Sequence, residues 1–125
     1  MRFRIILAAL CFVILSSANA QKANYKVGLI GFYNVENLYD TIDDPIKNDA
    51  EYLPSGSKRY NSYVYLDKIG NLSKVLSMIG TDVSPDGLSI IGLAEVENDT
   101  VLHDLVSHPL MQSRNYQIVH HNSPD

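Results

Sequence analysis

Two short stretches end on side chains suited to holding a metal ion and a phosphate group. In FYNVEN, residues 32–37, an apolar and aromatic run finishes on Asn34, with Glu36 and Asn37 just beyond it. In GLSIIGLAEVEN, residues 87–98, a second apolar run finishes on Glu95. A carboxylate at the carboxyl end of a strand lies where open α/β sheets place their ligand crevice, and there it can reach a hard cation without being buried unpaired. Mg²⁺ or Mn²⁺ takes few protein ligands and fills its octahedron with water and substrate phosphate. A neutral amide is a suitable neighbour, because it hydrogen-bonds a metal-bound water or a phosphate oxygen without adding negative charge. A cation so held would polarise a phosphoryl group for in-line attack by water. Taken alone, Glu95 is more simply a solvated carboxylate, since glutamate is mostly exposed wherever it occurs. The matching cluster at Asn34 is what points to chemistry.

The elements that must position these residues follow from pattern. Leu88, Ile90, Ile91 and Leu93 predict a strand buried on both faces inside a covered sheet. Tyr25 to Val35 predicts another; Gly28 and Gly31 weaken it but permit close approach of a neighbouring layer. Between them, Tyr65, Ile69, Leu72, Leu76 and Ile79 recur at steps of four and three, so Asn61 to Ile79 predicts an amphipathic helix. Asn61 or Ser62 would cap its start, and Gly80 would end it. The order strand, helix, strand implies an α/β layer. Asp40 to Lys58 has neither period and predicts a solvated surface loop, whose acids lack the spacing of a calcium-binding EF-hand. Asp99 is expected to cap a short helix presenting Val101, Leu102, Leu105 and Val106 and stopping before Pro109, and Tyr116 to His121 to form a strand. His103, His108, His120 and His121 are best assigned to structural or exposed positions.

The chain has 125 residues and a formal charge of −4. Arg2 and Arg4, the apolar run Ile5 to Leu15 and the small residues Ala18 and Ala20 predict a signal peptide over residues 1–20, cut after Ala20, and hence a periplasmic or secreted protein. The apolar run is too short for a stable bilayer span. Leu10 precedes Cys11 where a lipoprotein signal needs a small residue, so no membrane anchor is expected after cleavage. Cleavage removes the only cysteine and two of the ten basic residues; the domain over 21–125 then carries eight basic against fourteen acidic groups, net −6, and has no disulfide. Such a domain relies on an ordinary apolar core. The acidity argues against a passive nucleic-acid binder and is compatible with phosphate met through a carboxylate-held metal ion.

FYNVENLYD at 32–40, KRYNSYVYLDKIGNLSKVLSMIG at 58–80, GLAEVEN at 92–98 and the closing HHNSPD resemble the amino-terminal part of the endonuclease/exonuclease/phosphatase superfamily, the DNase I-like fold, and most of all its exported bacterial members. The resemblance runs from about Val27 to Asp125. It implies an α/β fold, the amino-terminal half of a two-sheet sandwich. It also implies that Asn34 is the first-strand Asn that orients phosphate or metal, and that Glu95 is the Glu that holds the divalent cation. Both are then catalytic and metal-site residues, with Mg²⁺ (or Mn²⁺) as cofactor and a phosphate ester, nucleic acid among the candidates, as substrate. No obligate protein partner is implied. Ala94 departs from the family, where Gln commonly precedes the metal-binding Glu, and so lacks one supporting hydrogen bond. Glu36, Asn37, Glu97 and Asn98 are assigned to loop structure. In longer family members an Asp-x-Asn pair, a further His and a Ser-Asp-His follow. The expectation is therefore a metal-dependent phosphoesterase or nuclease of which these residues form an incomplete, inactive part with an exposed apolar sheet face. The alternative is a non-catalytic exported remnant or binding module, its acidic loop contacting a partner.

Overall fold

The computed structural model describes residues 25–121; the expected signal peptide over 1–20 and the closing Asn122–Asp125 lie outside the described residues. Two strands and three helices carry the layout. Strand β1 (Leu29–Leu38) and strand β2 (Leu88–Val96) pair in parallel, and helix α1 (Ser62–Met78) lies between them in sequence. Helices α2 (Asp99–Ser107) and α3 (Pro109–Gln112) follow. This is the mixed α/β arrangement expected, because parallel strands need a long crossover and a helix supplies it.

Helix α1 forms where its apolar stripe predicts. Tyr65, Ile69, Leu72 and Leu76 are buried on one side, packed with Val35, Leu38, Val101, Leu105 and Met111 in a single core. The Asn61 side chain accepts from the N–H groups of Tyr63 (3.0 Å) and Val64 (3.1 Å) and so caps the start. Gly80 follows the last turn at φ +76°, a left-handed conformation that favours glycine, and a Cβ there would stand 2.6 Å from the Leu29 Cδ1 atom, which would have to move. Asn61→Ala is expected to cost about 1 kcal/mol, read as a lower denaturant midpoint with an unchanged slope; an unchanged midpoint would remove the cap from the energetics.

The strands differ from expectation in ways that bear on the site. β1 begins at Leu29, not at Tyr25; its first partner is Leu88, and the preceding Gly87 is in the left-handed region at φ +64°. It continues past Asn34 to Leu38, which pairs with Val96 after a bulge. β2 is not buried on both faces. Ile30 (77% exposed), Phe32 (76%) and Ile90 (58%) share the outward face of the pair, while Tyr33, Ile91 and Leu93 turn toward the core. Phe32 lies across Gly92, its register partner, where a Cβ would come within 2.8 Å of the ring.

Two further expectations are corrected and one is met. The cap of α2 is Asn98, whose side chain accepts from the Val101 N–H (3.1 Å); Asp99 is the first helical residue. Helix α2 ends at Ser107, before Pro109 as expected, and Pro109 opens the separate short helix α3, where its missing N–H costs nothing. Tyr116 to His121 has no regular secondary structure and pairs with no strand among the described residues. A cavity of about 800 Å³ is lined by residues of this segment and of β2, and the Tyr116 hydroxyl donates to the Leu88 carbonyl at 2.5 Å.

The 40–58 loop is also less solvated than its composition suggests. Asp49, 2% exposed, accepts from the Asp44 N–H (2.9 Å) and precedes a 3₁₀ turn at Ala50–Tyr52. Lys47 donates to the Glu97 carbonyl, and the Tyr39 and Tyr52 rings stack 4.1 Å apart. These contacts tie the loop to the end of β2.

Candidate active site at the paired strand ends

The register sets Asn34 beside Ala94, the residue before Glu95. Regular alternation would then send the Glu95 side chain to the opposite face from Asn34. It does not, because Glu95 is in the left-handed region at φ +63°. The Asn34 Nδ2 atom donates to the Glu95 Oε1 atom at 2.7 Å. The Asn34 Oδ1 atom in turn accepts from the Glu36 N–H, also at 2.7 Å. Both ends of the amide are thereby engaged, which fixes which end faces the carboxylate.

Beyond Asn34, β1 bends through two consecutive left-handed residues, Glu36 (φ +53°) and Asn37 (φ +60°). Asn tolerates this conformation, but at Glu36 and Glu95 it costs about 1–2 kcal/mol each. Such strain persists only where the surroundings enforce it, and it concentrates at functional sites. Here three of the five left-handed non-glycine residues among those described lie within this one cluster. Lys68 of α1 donates to the carbonyls of Glu36 and Asn37.

Glu95 is exposed, and its Oε2 atom takes no hydrogen bond among the described residues. It therefore has lone pairs to offer. No group of three or more His, Cys, Asp or Glu side chains able to enclose a metal ion occurs among the described residues. The donor set fits a hydrated divalent cation held by a single carboxylate with water and phosphate oxygens, and does not fit a closed protein cage. A groove of about 340 Å³ runs alongside, lined by Tyr33, Asn34, Glu36, Asp67, Lys68 and Asn71.

The neighbouring acids have other work. Glu97, buried, accepts from the Asp40 N–H at 2.8 Å, and the Asn98 side chain donates to the Asp40 carboxylate at 3.0 Å. Burial pushes the Glu97 carboxyl above its usual range, against the pull of that N–H. Glu97 and Asn98 join the end of β2 to the loop, as expected of loop residues, whereas Glu36 and Asn37, expected in loop structure too, lie within β1.

A family model described as the endonuclease/exonuclease/phosphatase family matches residues 29–125, from the first residue of β1 onward. The chain belongs to the endonuclease/exonuclease/phosphatase family. That match spans the pair of strands, the helix between them and both site residues, and the fold described above is consistent with part of an α/β domain of this kind. No curated protein and no solved structure matches the chain. The family comprises phosphoesterase- and nuclease-type hydrolases, and its members generally use divalent metal ions.

Sequence reasoning missed Lys68 and the left-handed backbone at Glu36 and Glu95. For Lys68 a signal existed: it stands three residues after Tyr65 and four before Leu72, a lysine on the edge of a buried stripe. For the backbone none did, since Glu has no preference for that conformation.

Proposed function

We propose that the chain supplies the cation-holding half of a metal-dependent phosphoesterase site, in which Glu95 ligates Mg²⁺ or Mn²⁺ and Asn34 orients it. The observation that carries this reading is the 2.7 Å bond from the Asn34 amide to an otherwise open carboxylate at two strained strand ends. The cation, when bound, would polarise the phosphoryl oxygen and stabilise charge developing on it. The chain's own residues do the rest of the positioning. Asn34 occupies one lone pair of the Glu95 Oε1 atom and leaves Oε2 free, so the carboxylate has one preferred side from which to meet a cation. An amide in this role adds no charge that would repel a phosphate ester. The substrate is a phosphate ester, with nucleic acid among the candidates. Titration of the exported protein with Mn²⁺, followed by calorimetry, is expected to show one site per chain; absence of binding would sink the reading.

The basic start, apolar run and small-residue cleavage site within residues 1–20 support export. Protein recovered from the periplasm or medium is expected to begin at Gln21 by intact-mass measurement, and recovery with Met1 still attached would contradict this. No helix among the described residues is long and apolar enough to cross a membrane.

A further inference from the structure

The left-handed end of β1 needs something to hold it, and the contacts identify what does. Lys68 projects from the edge of the α1 stripe, half-buried, and its ammonium donates to two successive carbonyls, those of Glu36 and of Asn37 (3.0 Å to the latter). Hydrogen bonds from a charged donor are roughly twice as strong as neutral ones. The two peptide groups held in this way belong to the residues at φ +53° and +60°. From there the bonds run without a gap to the site: the Glu36 N–H to the Asn34 Oδ1 atom, then the Asn34 Nδ2 atom to the Glu95 Oε1 atom, each 2.7 Å. Desolvation pulls the Lys68 ammonium below its ordinary pKa, and the charges of Glu36 and Glu95 act against that pull.

We propose that Lys68 is a positioning residue: by clamping the carbonyls of Glu36 and Asn37 it fixes the left-handed end of β1 and thereby holds the Asn34 amide on the Glu95 carboxylate. A lysine suits the task because its compact head carries three donors, enough for two carbonyls. Its effect on cation affinity rests on the reading of Glu95 as a cation ligand; its effect on the Asn34 amide does not.

The two possible roles of a lysine beside a cation site predict opposite signs. If Lys68 only adds positive charge near Glu95, removing it relieves repulsion and strengthens Mn²⁺ binding. If it positions, removing it weakens Mn²⁺ binding by about 10-fold or more, the usual cost of losing a group that orients a ligand. Lys68→Met keeps the stem and removes every donor. In ¹⁵N-labelled protein, the Asn34 side-chain amide signals, assigned by their loss in Asn34→Ala, are expected to move in Lys68→Met to the position of a solvent-exposed amide. Lys68→Arg, which keeps charged donors, is expected to restore both the signals and most of the affinity. Unchanged Asn34 signals in Lys68→Met, or tighter Mn²⁺ binding, would overturn the proposal. If Lys68→Met does not fold, Lys68→Gln takes its place: an intermediate shift supports the clamp and an unmoved one overturns it. Should the wild-type protein fail to bind Mn²⁺ while the Asn34 signals still move, the clamp stands and the metal site falls.

Discussion

Glu95→Gln is expected to weaken Mn²⁺ binding on the order of 100-fold and to lower phosphoesterase turnover of a competent enzyme by a similar factor or more. The substitution is chosen for what it leaves alone. Gln has the length of Glu, and its carbonyl oxygen can still accept from the Asn34 Nδ2 atom, so the strand ends keep their hydrogen bond. What disappears is the charge. A full negative charge in contact with a divalent ion is worth several kcal/mol even at the effective dielectric of a protein surface, and each 1.4 kcal/mol is about tenfold in affinity. No group of three or more His, Cys, Asp or Glu side chains among the described residues offers an alternative cage. Thermal stability should barely change, because Glu95 is exposed and contributes no packing. The measurement is a parallel Mn²⁺ titration of the two proteins with their unfolding curves; an affinity within about twofold of wild type would remove Glu95 from the site.

How far the molecule was legible beforehand depended on whether local pattern or distant contact decides each feature. Helix α1 was legible because its burial stripe, its Asn61 cap and its Gly80 stop are local and agree with one another. The pairing of Asn34 with Glu95 was suggested by two strands that each end on an oxygen-bearing side chain and strengthened by family resemblance, but strand pairing over 61 residues leaves no periodic trace that would fix it. The cap of α2 was misplaced by one residue because Asn98 and Asp99 are equally good caps, and the choice falls to Asn98, whose amide also reaches Asp40. Tyr116 to His121 has strand composition, but a strand needs a partner as well as a pattern, and among the described residues the segment pairs with none. The left-handed turn at Glu36 and Asn37 is enforced by Lys68, more than thirty residues away in the chain, and no reading of FYNVEN by itself could find it.

Leu38→Ala is expected to produce the largest loss of stability, and to do so at a residue that joins the core to the site. Leu38 is fully buried, and it packs among Val35, Tyr65, Ile69, Val101 and Leu105 in the cluster beneath α1. Its carbonyl accepts from the Glu97 N–H at 3.1 Å, and its backbone pairs with Val96, which closes the bulge that contains Glu36 and Asn37. Truncation removes three heavy atoms from a site that cannot fully collapse, at a cost of about 2–5 kcal/mol. Against a typical total of about 5–15 kcal/mol this is a large fraction. For a domain of this size each kcal/mol moves the melting temperature by about 4–8 °C, so a fall of roughly 10 °C or more is expected by calorimetry. A fall of only one or two degrees would mean that the core does not depend on Leu38. Leu38→Ala and Glu95→Gln should therefore separate cleanly. The core variant melts early but, below its transition, still binds Mn²⁺ through an unaltered carboxylate; the site variant melts normally and has lost the ion. If Leu38→Ala also weakens Mn²⁺ binding while fully folded, the bulge it closes transmits core packing to the Asn34–Glu95 pair, and β1 acts as one rigid lever from Leu38 to Asn34.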